Sequence, residues 1–407
     1  MSTSAAAITG IGMVTPLGVG TKPTWDGLLT GRSAAQSDSA LQGMPVDFSC
    51  QVCDLDAPRR LTPRLALRLD RFSQMALIAA REAVADAQLD SEQWDATRVA
   101  VVIGVGTTSF ERLLPEAVKV SAGRVRSVSP LMIPRSIPNL AAGEIALDLG
   151  IRGPTFAVST ACASGATALG VALLMLRCGQ CDIVLAGGSE SVRNPISSAG
   201  FSQLGALSTR TTEPARASRP FDTHRDGFVL SEGAAILALE RPDHARARSV
   251  RPWALLHGYG ASCDAHHPTA PPPEGRGAVD AMRWALHDAD LSAADIGHIN
   301  AHGTSTPLND AAEAQALRTV FTEPPPVTSV KGALGHTIGA AGAIEAAATA
   351  LTLRHQTVPP TANHEDPDPA LCLDVVAGAP RAVRARAAIS NSFGFGGQNA
   401  SLILTTA

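Results

Sequence analysis

Residues 155–176 read Thr-Phe-Ala-Val-Ser-Thr-Ala-Cys-Ala-Ser-Gly-Ala-Thr-Ala-Leu-Gly-Val-Ala-Leu-Leu-Met-Leu. Thr155 to Ser159 has the character of a buried strand, and an apolar helix follows from about Ser164 to Leu176. Cys162 stands at the turn between them, beside Ala161, Ala163 and Gly165, which add little bulk around its sulfur. The free N–H groups of the helix's first turn face that position, and the helix dipole favours an anion there by about 0.3–2 kcal/mol. Both effects are expected to lower the thiol pKa and raise its thiolate fraction. A small buried core cysteine is the bland alternative. A sulfur at a strand-to-helix turn reads instead as a nucleophile.

The chain around this stretch has 407 residues, 45% hydrophobic and 17% charged, enough for a large core built as two domains or as two fused halves. A formal net charge of −4 argues against a general nucleic-acid binder. The opening Met-Ser-Thr-Ser-Ala-Ala-Ala lacks the features of a signal peptide, and no run of about 18 apolar residues would span a membrane, so a cytoplasmic protein is expected. Seven cysteines are too sparse for a disulfide framework. The pairs Cys50/Cys53 and Cys178/Cys181 lie too far apart in sequence for a four-cysteine zinc motif, and no metal is expected. Gly10-x-Gly12 invites a dinucleotide fingerprint, but Thr15 occupies the third glycine position. A plain strand-to-loop turn is the better reading.

Strand and helix patterns alternate along the chain, which predicts an α/β layered fold. Residues 6–14 read as a strand running into a glycine turn. Thr62-Pro63 starts a helix that runs to about Ala87, with Leu65, Leu69, Phe72 and Met75 inward and Arg64, Arg68 and Arg71 outward. Strands are expected at 98–104, 181–187 and 234–240, a helix at 138–149, and a long polar excursion at 208–226. A polar, proline-flanked stretch at 241–252 marks a boundary, dividing the chain into halves 1–250 and 251–407. The second half restarts the pattern: strand 253–259, helix 275–289, strands 296–302 and 327–330, helix 339–353, strands 387–392 and 400–404. Strand–Cys162–helix in the first half corresponds by layout to strand–Lys331…His336–helix in the second.

Two histidines of the second half stand in small or apolar surroundings. His302, in Asn300-Ala-His-Gly-Thr-Ser-Thr306, follows a strand end, where catalytic groups of α/β folds project. His336, in Lys331-Gly-Ala-Leu-Gly-His336, precedes a helix of small residues. A lone histidine in either place would read as a core or capping residue. Two of them, with a helix-capped cysteine, read as a catalytic set.

Four segments then carry a resemblance. Thr160-Ala-Cys-Ala-Ser-Gly165, Ala301-His-Gly-Thr-Ser-Thr306, Lys331-Gly-Ala-Leu-Gly-His336 and Asn391-Ser-Phe-Gly-Phe-Gly-Gly397 closely resemble the β-ketoacyl-acyl carrier protein synthases of the elongating, Cys-His-His kind, in the family's order over nearly the whole chain. The resemblance implies a thiolase fold, two similar halves forming a five-layer α-β-α-β-α core. It implies an acyltransferase that extends a Cys162-bound acyl chain by two carbons, through decarboxylative Claisen condensation with a malonyl-acyl carrier protein, in fatty acid or polyketide biosynthesis. In this reading His302 and His336 are neutral donors to the malonyl thioester oxygen, and Lys331 pairs with Glu345 to order the site. The backbone N–H groups of Cys162 and Phe395 form the oxyanion hole, and Phe395 also gates the pocket beside the 264–273 loop. Thr304 and Thr306 bind pantetheine, while Thr107, Met132 and Phe393 help to line the acyl pocket. No cofactor is implied beyond the phosphopantetheine that the acyl carrier protein itself brings.

The resemblance also implies a homodimer, or a heterodimer with a ketosynthase-like chain-length factor, and an acidic carrier protein docking on Arg59, Arg60, Arg64, Arg68 and Arg126. Ser127 and Gly205 stand where two further basic residues are usual. A thiolase acting on coenzyme A esters would need a second cysteine in the C-terminal glycine loop; Gly394-Phe-Gly-Gly-Gln398 has none, and Cys372 lies too far upstream. Initiating synthases carry Asn in place of the second histidine, and chain-length factors lack the nucleophile. Thr107 and Thr108, where long-chain enzymes usually have a bulky aliphatic residue, and Met132, where an aromatic residue is common, lean towards a specialised polyketide pathway, polyene or aromatic.

Overall fold

The computed structural model describes residues 5–407. The first half supplies β1 (Ala6–Thr15), α1 (Arg71–Asp86), β2 (Val99–Gly104), α2 (Leu140–Leu149), β3 (Thr155–Val158), α3 (Ser164–Arg177), β4 (Ile183–Ser191) and β5 (Glu232–Glu240). The second half supplies β6 (Ala254–Cys263), α4 (Arg276–Asp288), β7 (Ile296–Asn300), α5 (Pro307–Val320), β8 (Val327–Thr328), α6 (Ala341–His355), β9 (Ala387–Gly394) and β10 (Gln398–Thr405). Helices thus fall at the same places between strands in both halves.

The sheet repeats as well. In the first half the strands lie in the order β3-β2-β4-β5-β1, and in the second β8-β7-β9-β10-β6, the same permutation. Directions match: β2 runs parallel to β3 and β4, β7 runs parallel to β8 and β9, and the last two strands of each half are antiparallel additions. The halves join where β1 and β6 pair antiparallel, Ala6 opposite Leu256 and Ile8 opposite Ala254.

Strand alternation sorts side chains into layers. Val99, Val101 and Ile103 of β2 face outward onto α1 and α2, while Ala100 and Val102 face inward. In the second half Ile299, Ile389 and Ile403 pack outward on α4 and α5. The inner faces of both half-sheets close on α3 and α6, which form one central core. The result is the expected five-layer thiolase-like fold. Reciprocal glycines let the central helices touch: a Cβ on Gly165 would lie 2.7 Å from the Ala343 nitrogen, and one on Gly342 would lie 2.7 Å from the Ala166 nitrogen. That contact accounts for the Gly- and Ala-rich sequence of both helices.

The structure corrects three sequence expectations and adds to a fourth. Gly10 and Gly12 lie inside β1 and not in a turn; a Cβ on either would strike the Ala83 or Ala79 carbonyl of α1, at 2.1 and 1.9 Å. The helix expected over 62–87 is broken. Thr62 does cap a short helix, Pro63–Arg68, by accepting the Leu65 N–H at 3.2 Å, but Leu69 turns to extended backbone before α1 begins. Arg71 faces inward and holds the buried Glu232 with two hydrogen bonds, because that carboxylate has no water to solvate it. The 208–226 excursion is anchored as well as polar. Arg219 and Asp222 are buried as an ion pair, and the Phe221 N–H donates to Asp310 of α5 at 2.8 Å. No helix among the described residues is long and apolar enough to cross a membrane.

Candidate active site

β3 ends at Val158 and the chain turns through Ala161, whose φ of 48° lies in the left-handed region. A non-glycine residue held there costs about 1–3 kcal/mol, a strain found where a side chain must be aimed. It presents Cys162 at the base of α3, 7% exposed. The corresponding crossover of the second half, β8 to α6, carries Lys331 and His336, and His302 follows the end of β7. The repeat therefore brings all three segments to the same end of the two half-sheets. The sulfur of Cys162 and one ring nitrogen each of His302 and His336 lie within 4.8 Å of one another.

Hydrogen bonds set both tautomers. The Ile338 N–H donates to Nδ1 of His336 at 3.3 Å, and the Lys331 ammonium lies 3.3 Å from Nδ1 of His302. With Nδ1 accepting in each ring, the proton of each neutral imidazole sits on Nε2. His336 Nε2 is buried with no partner of its own. Burial, then the Lys331 charge, holds both histidines well below the ordinary histidine pKa, so each ring is a neutral donor. The rings stand edge to face, centroids 5.5 Å apart. Sulfur and two imidazoles are also a metal donor set by type, but both Nε2 protons would have to leave first.

Lys331 is buried and forms an ion pair with Glu345; it also donates to the His302 carbonyl at 2.6 Å. The expected Lys331–Glu345 pair is thus present in the geometry. Two carboxylates that the sequence reading passed over complete the frame. Glu313 of α5 accepts the N–H groups of His302 and Gly303 at 2.8 and 2.7 Å, and burial pushes its carboxyl up to about 7. Asp310, one turn earlier, accepts the Phe221 and Ser305 N–H groups. A signal existed: two acidic residues three apart that share one helix face with Ala314 and the buried Leu317.

The Cys162 expectation is corrected. Burial pushes its thiol up to about 11, against the Lys331 charge and the backbone N–H groups of Phe395 and Cys162 itself. Desolvation of a deeply buried thiolate outweighs what one helix end supplies. The same two N–H groups are the ones expected to form an oxyanion hole.

A cavity of about 330 Å³ opens onto these groups. Its lining includes Thr304, Thr306, Phe393, Phe395 and Ile338, and also Phe201 and Phe228, whose rings meet edge to face. Thr304 and Thr306 hydroxyls bond to each other at 2.8 Å. Phe395 opens the tight loop between β9 and β10, which is tied to the 264–273 loop: Asn399 donates to Asp264 at 2.7 Å and the Gly396 N–H to the Pro268 carbonyl at 2.7 Å. Thr107 and Met132 do not line this cavity. Thr107 is turned onto Glu190, and Met132 begins a short helix, Met132–Ser136. Nor do the five arginines: the rim is formed by Leu204, Gly205, His267, Thr269 and Leu308. Arg59, Arg60, Arg64, Arg68 and Arg126 are exposed, and Arg68 is engaged by Glu144.

Comparison with known proteins agrees with this geometry. Residues 3–245 match the β-ketoacyl synthase N-terminal domain and residues 253–365 its C-terminal domain. The chain is 40% identical to the 3-oxoacyl-[acyl-carrier-protein] synthase 2 of Synechocystis sp. over 405 residues, 97% of this chain and 96% of that protein. Among solved structures, the ishigamide ketosynthase/chain length factor superposes with a TM-score of 0.92 at 34% identity, covering 99% of each chain. A type II polyketide synthase acyl-carrier protein in complex with its ketosynthase also gives 0.92, at 32% identity, over 99% of this chain and 100% of that one.

Proposed function

The chain belongs to the β-ketoacyl synthase family, and from that premise we propose that Cys162, His302 and His336 carry out a decarboxylative condensation on carrier-bound thioesters. The enzyme is an acyltransferase of the 3-oxoacyl-[acyl-carrier-protein] synthase type. The observation that carries the residue roles is the shared tautomer: two neutral Nε2–H donors beside one sulfur.

The steps follow from these groups. Cys162 attacks the acyl thioester; the new S–C bond forms as the pantetheine S–C bond breaks, and the thiol proton leaves with the pantetheine sulfur. The N–H groups of Cys162 and Phe395 stabilise the oxyanion, each donor contributing about 3 kcal/mol. A malonyl thioester then places its carbonyl oxygen at the two Nε2–H groups. The bond to the carboxylate breaks, CO₂ departs, and its electron pair forms the enolate that the imidazoles stabilise. The enolate carbon attacks the acyl-Cys162 carbonyl, and the sulfur leaves as a thiolate that takes up a proton from water while the chain gains two carbons. The first half, 1–250, supplies the nucleophile and the second, 251–407, the donors. Thr304 and Thr306 hold the pantetheine arm, and Lys331 with Glu345 fixes His302. Incubation with acyl- and malonyl-acyl carrier protein should yield the 3-oxoacyl product and one CO₂; turnover of coenzyme A esters with no carrier dependence would sink the carrier reading.

An acidic acyl carrier protein is the proposed partner, docking on Arg59, Arg60, Arg64, Arg68 and Arg126. Because Arg68 is engaged by Glu144, Arg59→Glu with Arg64→Glu is the cleaner test. KM for carrier-bound substrate should rise about tenfold and lose most of its salt dependence, since exposed charges are screened within about 10 Å at 0.1 M salt. Turnover of a small pantetheine thioester should stay the same; equal loss on both substrates would place these arginines in the fold.

A second surface favours a ketosynthase-like partner. Strand β3 is the edge of its half-sheet, and the helix Phe110–Ser121 buries no residue while Val118 and Val120, with Val125, Leu131 and Ile133 beyond it, lie exposed. An unpaired strand edge and an exposed apolar helix face are each a pairing template. The covering chain is taken to be a second copy. A dimeric mass for the chain purified alone supports that, whereas a dimer only on co-expression with a chain-length factor supports the heterodimeric polyketide reading.

A further inference from the structure

Glu190, at the end of β4, is 2% exposed and has no ion-pair partner among the described residues. Its carboxylate is held instead by donors from one loop and packs against a second. Oε2 accepts the N–H groups of Gly106 and Thr107 at 2.7 and 3.0 Å, and Oε1 accepts the Thr107 hydroxyl at 2.8 Å. Gly339 packs directly against the same carboxylate: a Cβ added there would lie 2.9 Å from Oε2. Gly106 and Thr107 leave β2, whereas Gly339 lies three residues beyond His336. The two loops are in close contact: a Cβ on Gly339 would lie 2.2 Å from the Gly106 nitrogen, and one on Gly106 would lie 2.9 Å from Ile338 Cγ2.

Between His336 and Gly339 sits Ile338, whose φ is 46°. A β-branched residue in the left-handed region is a backbone outlier that persists only where its surroundings over-determine it. In this conformation the Ile338 N–H donates to Nδ1 of His336, which leaves the proton on Nε2. That N–H lies on the His336 side of the φ bond, so a change of φ at Ile338 turns His336 and this N–H together relative to Gly339 and α6. The ring would shift bodily, and its Nε2–H would no longer point at the substrate position.

We infer that Glu190 is a positioning residue for His336: by gripping Gly106 and Thr107 and packing against Gly339, it locks Ile338 in its strained conformation and so keeps the Nε2–H of His336 aimed at the substrate. This rests on His336 being a donor in the malonyl step. Glu190 does not touch the reacting atoms, and nothing in its contacts reaches Cys162 directly.

The role separates the two partial reactions. In Glu190→Ala, acylation of Cys162 by an acyl-acyl carrier protein should stay within about threefold of the parent, while CO₂ release from malonyl-acyl carrier protein falls by about tenfold or more, as a displaced catalytic group requires. Glu190→Gln should restore CO₂ release to within about threefold, because its amide oxygen accepts the Gly106 and Thr107 N–H groups and its NH₂ donates to the Thr107 hydroxyl. Alanine leaves those buried N–H groups unpartnered, so Glu190→Asp serves if it fails to fold. Its shorter side chain withdraws the carboxylate by about 1.5 Å, and the same split is expected. Equal loss of both partial reactions in the alanine or aspartate variant, loss of neither, or failure of glutamine to rescue, overturns the inference. A parent protein that releases no CO₂ overturns the condensing activity and this inference with it.

Discussion

Cys162→Ala is expected to abolish condensation, a loss of about 10⁴-fold or more, as removal of a covalent nucleophile does elsewhere. Intact-protein mass spectrometry after incubation with acyl-acyl carrier protein should show an adduct on the parent and none on the variant. CO₂ release from malonyl-acyl carrier protein should survive, because the His302 and His336 donors and the Lys331–Glu345 pair are untouched. A persistent adduct in the variant would remove Cys162 from the mechanism. The thiol itself gives a second reading. With burial holding it up to about 11, the thiolate fraction at pH 7 is about 10⁻⁴. Alkylation by iodoacetamide should therefore rise about tenfold per pH unit from 7 to 10, because each unit below the pKa costs a decade of thiolate. A plateau below pH 8 would mean that the Phe395 and Cys162 N–H groups, with Lys331, outweigh burial.

His302→Ala and His336→Ala should each lower CO₂ release from malonyl-acyl carrier protein by about 10²–10³-fold, the usual effect of losing one preorganised donor to a developing oxyanion. Acyl transfer to Cys162 should fall far less, since the donors proposed for its oxyanion are the backbone N–H groups of Cys162 and Phe395. Conservative replacement sharpens the test. Glutamine at either position keeps an N–H donor without the ring, so it should retain more activity than alanine. Because both rings are held neutral by burial and by Lys331, CO₂ release should show no loss attributable to histidine protonation between pH 8 and 6. Release at the parent rate in both alanine variants would end the two-imidazole account. A fall in CO₂ release on passing pH 6.5 that disappears in the alanine variants would show that one ring carries an ordinary histidine pKa.

Local pattern was enough for much of the architecture. The strand–Cys162–helix unit and its counterpart around Lys331 and His336 follow from periodicity and from small residues, which act within windows of a few positions. The chemistry of the site was legible for the same reason: each motif is continuous in sequence, and the resemblance ordered them. The sequence could not show why Arg71 turns inward or Thr107 onto Glu190, because each answers a buried carboxylate more than 80 residues away. It suggested a lowered thiol pKa from the one effect visible locally, the helix end. Enclosure by two half-sheets and a second crossover loop, which burial measures and sequence does not, reverses that sign. It left the five arginines as a docking guess, while the fold shows that the cavity rim carries none of them. Residue types and spacing determined which groups this protein brings to its reaction. Only packing decided which are charged, which nitrogen holds the proton and what holds it in place, because those are sums over neighbours supplied by both halves of the chain.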